Sequence, residues 1–239
     1  MLLLKVISRL LDYPTAALFS AADELVDLVE NSPELNSDER LAISAFIRDL
    51  TGQDLYDAQE RYDLLFDRGR ALSLLLFEHV HGESRDRGQA MVELIGVYES
   101  RGFAVVSEQL PDYIPLYLEF LSEQDVGFAR EWLGDIGHLL AMLSERLLQR
   151  ECNYSILFDV LITISGYDVI REEIAEMVGK EERDDTMEAI DKEWEDKEVR
   201  FDEPAGESCA GTGSGSASGQ VPSEQIISPH VPVKQAAAK

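Results

Sequence analysis

The sequence predicts an all-α protein: a single helical bundle over residues 1–179, a peripheral acidic helix over 180–203, and a disordered C-terminal tail over 204–239. Three observations predict this. Apolar residues recur at the 3.6-residue helical period through nearly the whole of the first 179 positions. No segment alternates apolar and polar residues between hairpin-type turns. From Pro204 onward Gly, Ser, Ala and Pro take over, and such a stretch buries too little apolar surface to offset the entropy of ordering it. With 239 residues, 45% of them hydrophobic, the chain is long enough to bury roughly 70% of the surface its unfolded form exposes. It needs neither disulfides nor a structural metal to fold, and no internal repeat divides it.

The elements follow in order. Leu18, Ala22, Leu25 and Val29 make one stripe of an amphipathic helix. Ser37 is positioned to cap the next, whose face is Ile43, Phe46, Ile47 and Leu50, with Gly52 as its stop. Asp54 caps a helix bearing Leu55, Ala58, Tyr62 and Leu65. Another starts near Asp86, showing Ala90, Met91, Leu94 and Val97 before Gly102. Ala129, Trp132, Ile136, Leu139, Leu140, Leu143 and Leu147 predict one continuous central core helix from Asp125 to Arg150. Leu157, Phe158, Leu161 and Ile164 define the next helix, ending at Ser165-Gly166. Ile170, Ile174, Met177 and Val178 give a short core helix closed by Gly179. Met187, Ile190 and Trp194 keep helical spacing within the acidic segment, capped by Asp185 or Thr186.

Charge narrows the function. The formal net charge is −26, so the dense phosphate array of a nucleic acid has no basic face to meet, and an anionic membrane surface repels the chain. A basic peptide is attracted; solubility alone is the alternative use of such a charge. The opening Met1-Leu2-Leu3-Leu4-Lys5 starts like a signal sequence, but Lys5, Arg9 and Asp12 interrupt it and no small-residue cleavage site follows. Apolar runs such as Leu74-Leu75-Leu76-Phe77 fall short of the ~20 residues of a membrane helix. Cys152 and Cys209 stand far apart, which suits free thiols in a reducing cytoplasm.

No catalytic motif is present: there is no G-x-S-x-G, C-x-x-C or H-E-x-x-H, and the Gly-rich tail lacks the Lys and Ser/Thr ending of a phosphate loop. Two polar segments carry candidate chemistry. In the first, Glu78 to Gly88, His79 and His81 with Glu83 or Asp86 offer a two-His-one-carboxylate metal site. That requires an extended segment, since on a helix the two imidazoles diverge by about 200°. The alternatives are a turn whose polar groups cap neighbouring helices, or a partner contact. In the second, Leu110 to Phe120, Pro111 and Pro115 force the helix to begin late or to kink. There Asp112 with Tyr113 and Tyr117 suits an Arg side chain through charge and cation–π contact, or else both tyrosines are core residues with satisfied hydroxyls.

Tyr62-Asp63-Leu64-Leu65-Phe66-Asp67-Arg68-Gly69-Arg70 and Ser73 to Met91, which includes Phe77-Glu78-His79-Val80-His81-Gly82-Glu83-Ser84-Arg85-Asp86-Arg87-Gly88, closely resemble the respiratory nitrate reductase molybdenum cofactor assembly chaperones, or delta subunits. Ser8 to Pro14, Leu110-Pro111-Asp112, Leu116-Tyr117-Leu118-Glu119 and Arg183-Asp184-Asp185-Thr186 with Trp194 resemble them too, so the likeness spans most of residues 8–200. The resemblance implies a cytoplasmic, all-helical, non-enzymatic chaperone without a cofactor of its own. It implies binding to the N-terminal segment of the catalytic alpha subunit, or to the alpha–beta complex, supporting molybdenum cofactor insertion and delaying membrane docking. The wider group of redox-enzyme maturation chaperones, which bind leader peptides, commonly has Asp-His where this chain has Asp112-Tyr113. A client helix would lie in a groove whose candidates are Asp112, Tyr113, Tyr117 and Glu119, with Glu78 and the loop of His79, His81, Glu83, Arg85, Asp86 and Arg87. A leader from a different molybdoenzyme, and a metal-dependent hydrolase built on His79–Asp86, are the alternatives.

Overall fold

The computed structural model describes residues 1–82, 84–105 and 109–194. The tail expected over 204–239, and the end of the acidic helix beyond Trp194, lie outside the described residues. Met1–Trp194 is one compact unit. Its helices are α1 (Leu2–Leu11), α2 (Ala16–Ser20), α3 (Ala22–Glu30), α4 (Ser37–Thr51), α5 (Leu55–Phe66), α6 (Leu76–His81) and α7 (Asp86–Ser100), followed by α8 (Ile114–Ser122), α9 (Val126–Asp135), α10 (Gly137–Gln149), α11 (Ser155–Ser165), α12 (Arg171–Val178) and α13 (Met187–Trp194). Among the described residues the β-structure is a single antiparallel bridge between Leu75 and Tyr113, so the fold is all-α as expected.

At the centre of the contacts is α11, which packs on α10, α9, α4 and α1. Its sequence, Ser155-Ile-Leu-Phe-Asp-Val-Leu-Ile-Thr-Ile-Ser165, is apolar apart from its ends and the open Asp159–Thr163 face, as a helix packed on four others requires. The α1 helix lies along α8 and contributes Leu4, Ile7, Leu10 and Leu11 to the core. Ser8 of α1 donates to the Pro115 carbonyl at 2.6 Å. That contact gives a buried hydroxyl a partner and fixes the register of the two helices.

Four sequence expectations change. The stripe from Leu18 to Val29 is two helices: Ser20 Oγ takes the Ala16 carbonyl and the chain tightens at Ala21, whose N–H reaches both Ala17 and Leu18. The cap of α4 is Asn36, not Ser37. Its side chain accepts from the Asp38 and Glu39 amides, both at 2.9 Å, and Glu39 returns the bond to the Asn36 amide. The segment from Asp125 to Arg150 breaks at Ile136. Gly134 and Gly137 weaken the helix there, and Gly137 lets the Tyr167 ring approach where a β-carbon would collide with it. In α12 only Ile174 and Val178 are buried, while Ile170 and Met177 face outward. Elsewhere Asp54 caps α5, α8 begins late at Ile114 with Pro115 in its first turn, and Gly166 ends α11 in the left-handed conformation at φ +71°.

Candidate functional site

The α6–α7 hairpin is thinly buried. Over its fifteen residues α7 buries only Leu94 and Tyr98, and Val92 stands 63% exposed. The C-terminal half of α7 is anchored: Tyr98 donates to the Pro111 carbonyl at 2.8 Å and its ring meets Phe103 and Phe120. Arg101, just past the helix, lies 3.8 Å over the Phe128 ring. At the other end Arg85 and Asp86 are exposed, while Arg87 is half-buried. Glu83 lies outside the described residues.

The loop before α6 folds back onto the helix it precedes. Ser73 Oγ donates to Glu78, His79 Nε2 donates to the Ser73 carbonyl at 2.8 Å, and Arg70 Nε lies 4.0 Å from Glu78. Burial pushes the His79 imidazole below its ordinary pKa. Both histidines are on one short helix, His79 turned to the loop and His81 against the Phe77 ring. Among the described residues no three His, Cys, Asp or Glu side chains converge as metal ligands.

An acidic strap clamps the same loop from outside. Asp184 accepts from the Ala71 amide at 2.7 Å and from Arg150 at 2.8 Å. Arg146 joins the Ala71 carbonyl to Glu181, and Arg183 and Arg150 hold Asp185. Gly69, at φ +127°, has Asp184 where a β-carbon would be, so the strap closes only over a glycine. Thr186 then caps α13, accepting from the Ala189 amide.

Asp112 and Tyr113 face opposite ways. The Asp112 side chain is fully buried and reaches α6, accepting from the Phe77 amide at 3.0 Å. Burial raises its pKa. Tyr113, half-buried, turns instead to α1 and α5. Its hydroxyl lies 3.0 Å from that of Tyr62 and 3.2 Å from Asp12 Oδ1. Because Tyr62 donates to the Leu11 carbonyl, the Tyr113 proton is the one shared with Asp12. Tyr117 is 3% exposed, donates to the Trp132 carbonyl at 2.8 Å, and packs by the Trp132 ring, which places it in the core alternative. Glu119 accepts two bonds from Arg9 at the α1–α8 seam. Apart from Tyr117 in the core and Glu83, the candidates thus fall into two groups, with their neighbours, that meet back to back at Asp112-Tyr113. One is the α6–α7 hairpin with Asp112; the other is Arg9, Asp12, Tyr62, Tyr113 and Glu119. Asp12, Tyr62 as a polar residue, and the Asp184 clasp were not singled out by sequence reasoning. The partner Tyr113 lies 51 residues from Tyr62 and 101 from Asp12, and Ala71 lies 113 from Asp184; only the family-like Ser8–Pro14, Tyr62–Arg70 and Arg183–Thr186 segments hinted at them.

The arrangement defines an all-helical protein with an exposed polar hairpin stapled to its core. The family model described as nitrate reductase delta subunit matches residues 32–158. Over 84% of its length the chain is 49% identical to the nitrate reductase molybdenum cofactor assembly chaperone NarJ of Escherichia coli strain K12, covering 85% of that protein. It is 41% identical over 87% of each chain to the probable nitrate reductase molybdenum cofactor assembly chaperone NarW of the same strain, and 30% identical over 48% of its length to a probable NarJ of Bacillus subtilis strain 168. The chain belongs to the nitrate reductase delta subunit family, the molybdenum cofactor assembly chaperones. Among the described residues no helix is long and apolar enough to cross a membrane.

Proposed function

We propose that this protein is a cytoplasmic assembly chaperone that binds the N-terminal segment of the nitrate reductase catalytic alpha subunit. It supports molybdenum cofactor insertion there and holds the alpha–beta complex until membrane docking. The observation that carries the reading is the 49% identity, over 84% of the chain, to a protein named as such a chaperone. The exposed α6–α7 hairpin and the net charge of −26 agree with a surface that receives a basic, helix-forming segment. In this reading Glu78, His79, His81, Glu83, Arg85, Asp86 and Arg87 form the client surface and Tyr113 and Glu119 a second rim. Asp112 and Tyr117 support it from inside.

The test is calorimetric titration of the purified full chain with a synthetic peptide from the alpha-subunit N-terminus, at low and moderate salt. Saturable binding that weakens as salt rises is expected. No binding at low salt overturns the reading. Displacement by a leader peptide of another molybdoenzyme at equal or lower concentration reassigns the client.

A further inference from the structure

We infer that Asp112 is the positioning residue of the α6–α7 hairpin: it builds the start of α6 from across the chain and acts on the client through that helix, not by touching it. The inference rests on the assembly-chaperone reading for its functional part only.

The first turn of a helix has amides with no partner inside the helix. In α6 the residue before the first turn is Leu75, which has no side-chain acceptor. Asp112 takes its place. Its carbonyl accepts from the Leu76 amide at 3.0 Å and its Oδ2 from the Phe77 amide at 3.0 Å. Just after it, the Leu75–Tyr113 bridge and the bond from the Ile114 amide to the Leu74 carbonyl, at 2.8 Å, hold the two segments in register. One residue thus serves two successive amides of a helix 35 positions earlier.

The other carboxylate oxygen, Oδ1, is buried and accepts no hydrogen bond, and Nε of Arg87, in the first turn of α7, is likewise buried and donates none. Burial raises the Asp112 pKa, and the bond from Phe77 and the Arg87 cation work against that rise. Asp112 therefore holds the start of α6 by hydrogen bonds. A fully buried carboxylate that is occupied in this way cannot also serve as a surface receptor for a basic client residue.

The experiment compares full-length wild-type, Asp112→Asn and Asp112→Ala proteins by amide hydrogen exchange and by titration with the alpha-subunit N-terminal peptide at several salt concentrations. Asn keeps an acceptor for the Phe77 amide and loses the charge; Ala loses both. In Asp112→Ala we expect the Phe77 amide to exchange about tenfold faster and peptide affinity to fall about tenfold, the scale of a lost helix cap. Asp112→Asn should retain both properties, and the salt dependence of binding should keep the wild-type slope. Where the Ala protein does not fold, the Asn protein decides by the same two readouts. An unchanged Phe77 exchange rate in Asp112→Ala overturns the inference. So does an Asn protein that keeps Phe77 protected yet loses affinity together with its salt dependence, because its charge then contacts the client. If the wild-type protein fails to bind the peptide, the chaperone reading fails, and exchange at Phe77 still decides the positioning role by itself.

Discussion

His79 and Tyr117 separate what the site's residues do for folding from what they do for binding. Burial lowers the pKa of His79 below the unfolded value of about 6.5, and Arg146 works in the same direction. Between the folded and unfolded pKa values the unfolded chain binds the extra proton, so stability contributed by neutral His79 is full above about 6.5 and is lost as pH falls. Urea denaturation at about pH 7.5 and about pH 5.5 should show the wild type losing stability on acidification. His79→Gln should flatten that loss, whereas parallel pH dependences would mean that the imidazole is not held neutral. Asp112, Asp67 and Asp135 have raised pKa values and push the other way as pH falls, which is why the comparison with the variant is informative. For Tyr117, Tyr117→Phe should cost about 1 kcal/mol for the bond to Trp132, and Tyr117→Ala about 3–5 kcal/mol for the emptied volume. Both are read from denaturation midpoints, and a Tyr117→Ala protein of wild-type stability would place the ring outside the core.

At the level of elements, the connection from α10 to α11 shows how local geometry sets a turn and where it carries strain. The Cys152 amide reaches the Leu147 carbonyl at 2.9 Å and the Glu151 amide the Leu148 carbonyl at 2.9 Å, the paired bonds of a Schellman end. Glu151 occupies the left-handed position at φ +53°, the only non-glycine with positive φ among the described residues. A side chain there costs on the order of 1 kcal/mol. Glu151→Gly should therefore raise stability by about 1 kcal/mol less the extra freedom glycine gives the unfolded chain. A lower denaturation midpoint would show that the Glu151 side chain makes up for its backbone. Sequence reading found most helices because their signals are local: Asp54 before α5, Gly166 after α11, and the four-residue spacing of Ile43 and Ile47 in α4. It failed where a distant residue decides. Tyr167 needs Gly137, beside the break in the expected Asp125–Arg150 helix, and Asp184 needs Gly69. Asp112 was legible as a candidate but not as a cap, since nothing in its own neighbourhood records that Phe77 is the amide it serves.

For the whole molecule the dominant fact is the formal net charge of −26, which acts on folding and on client capture in opposite senses. Self-repulsion disfavours the compact state, so screening it favours folding. The same screening weakens long-range attraction of a basic client. The cations of the clasp are well sheltered, with the Arg146 and Arg150 side chains 11% and 10% exposed, so salt reaches their pairs with Glu181 and Asp184 less than it reaches surface charge. Raising ionic strength from about 0.01 M to about 0.1 M shortens the screening length from about 30 Å to about 10 Å. Over that range the urea midpoint of the free protein should rise while its affinity for the alpha-subunit peptide falls. A falling midpoint would mean that exposed ion pairs such as Lys5–Glu123 and Arg48–Glu30 outweigh the repulsion. An affinity indifferent to salt would mean that the client is held by its apolar face alone. Opposite trends in the two measurements would show the acidic surface disfavouring the fold while it draws in the client.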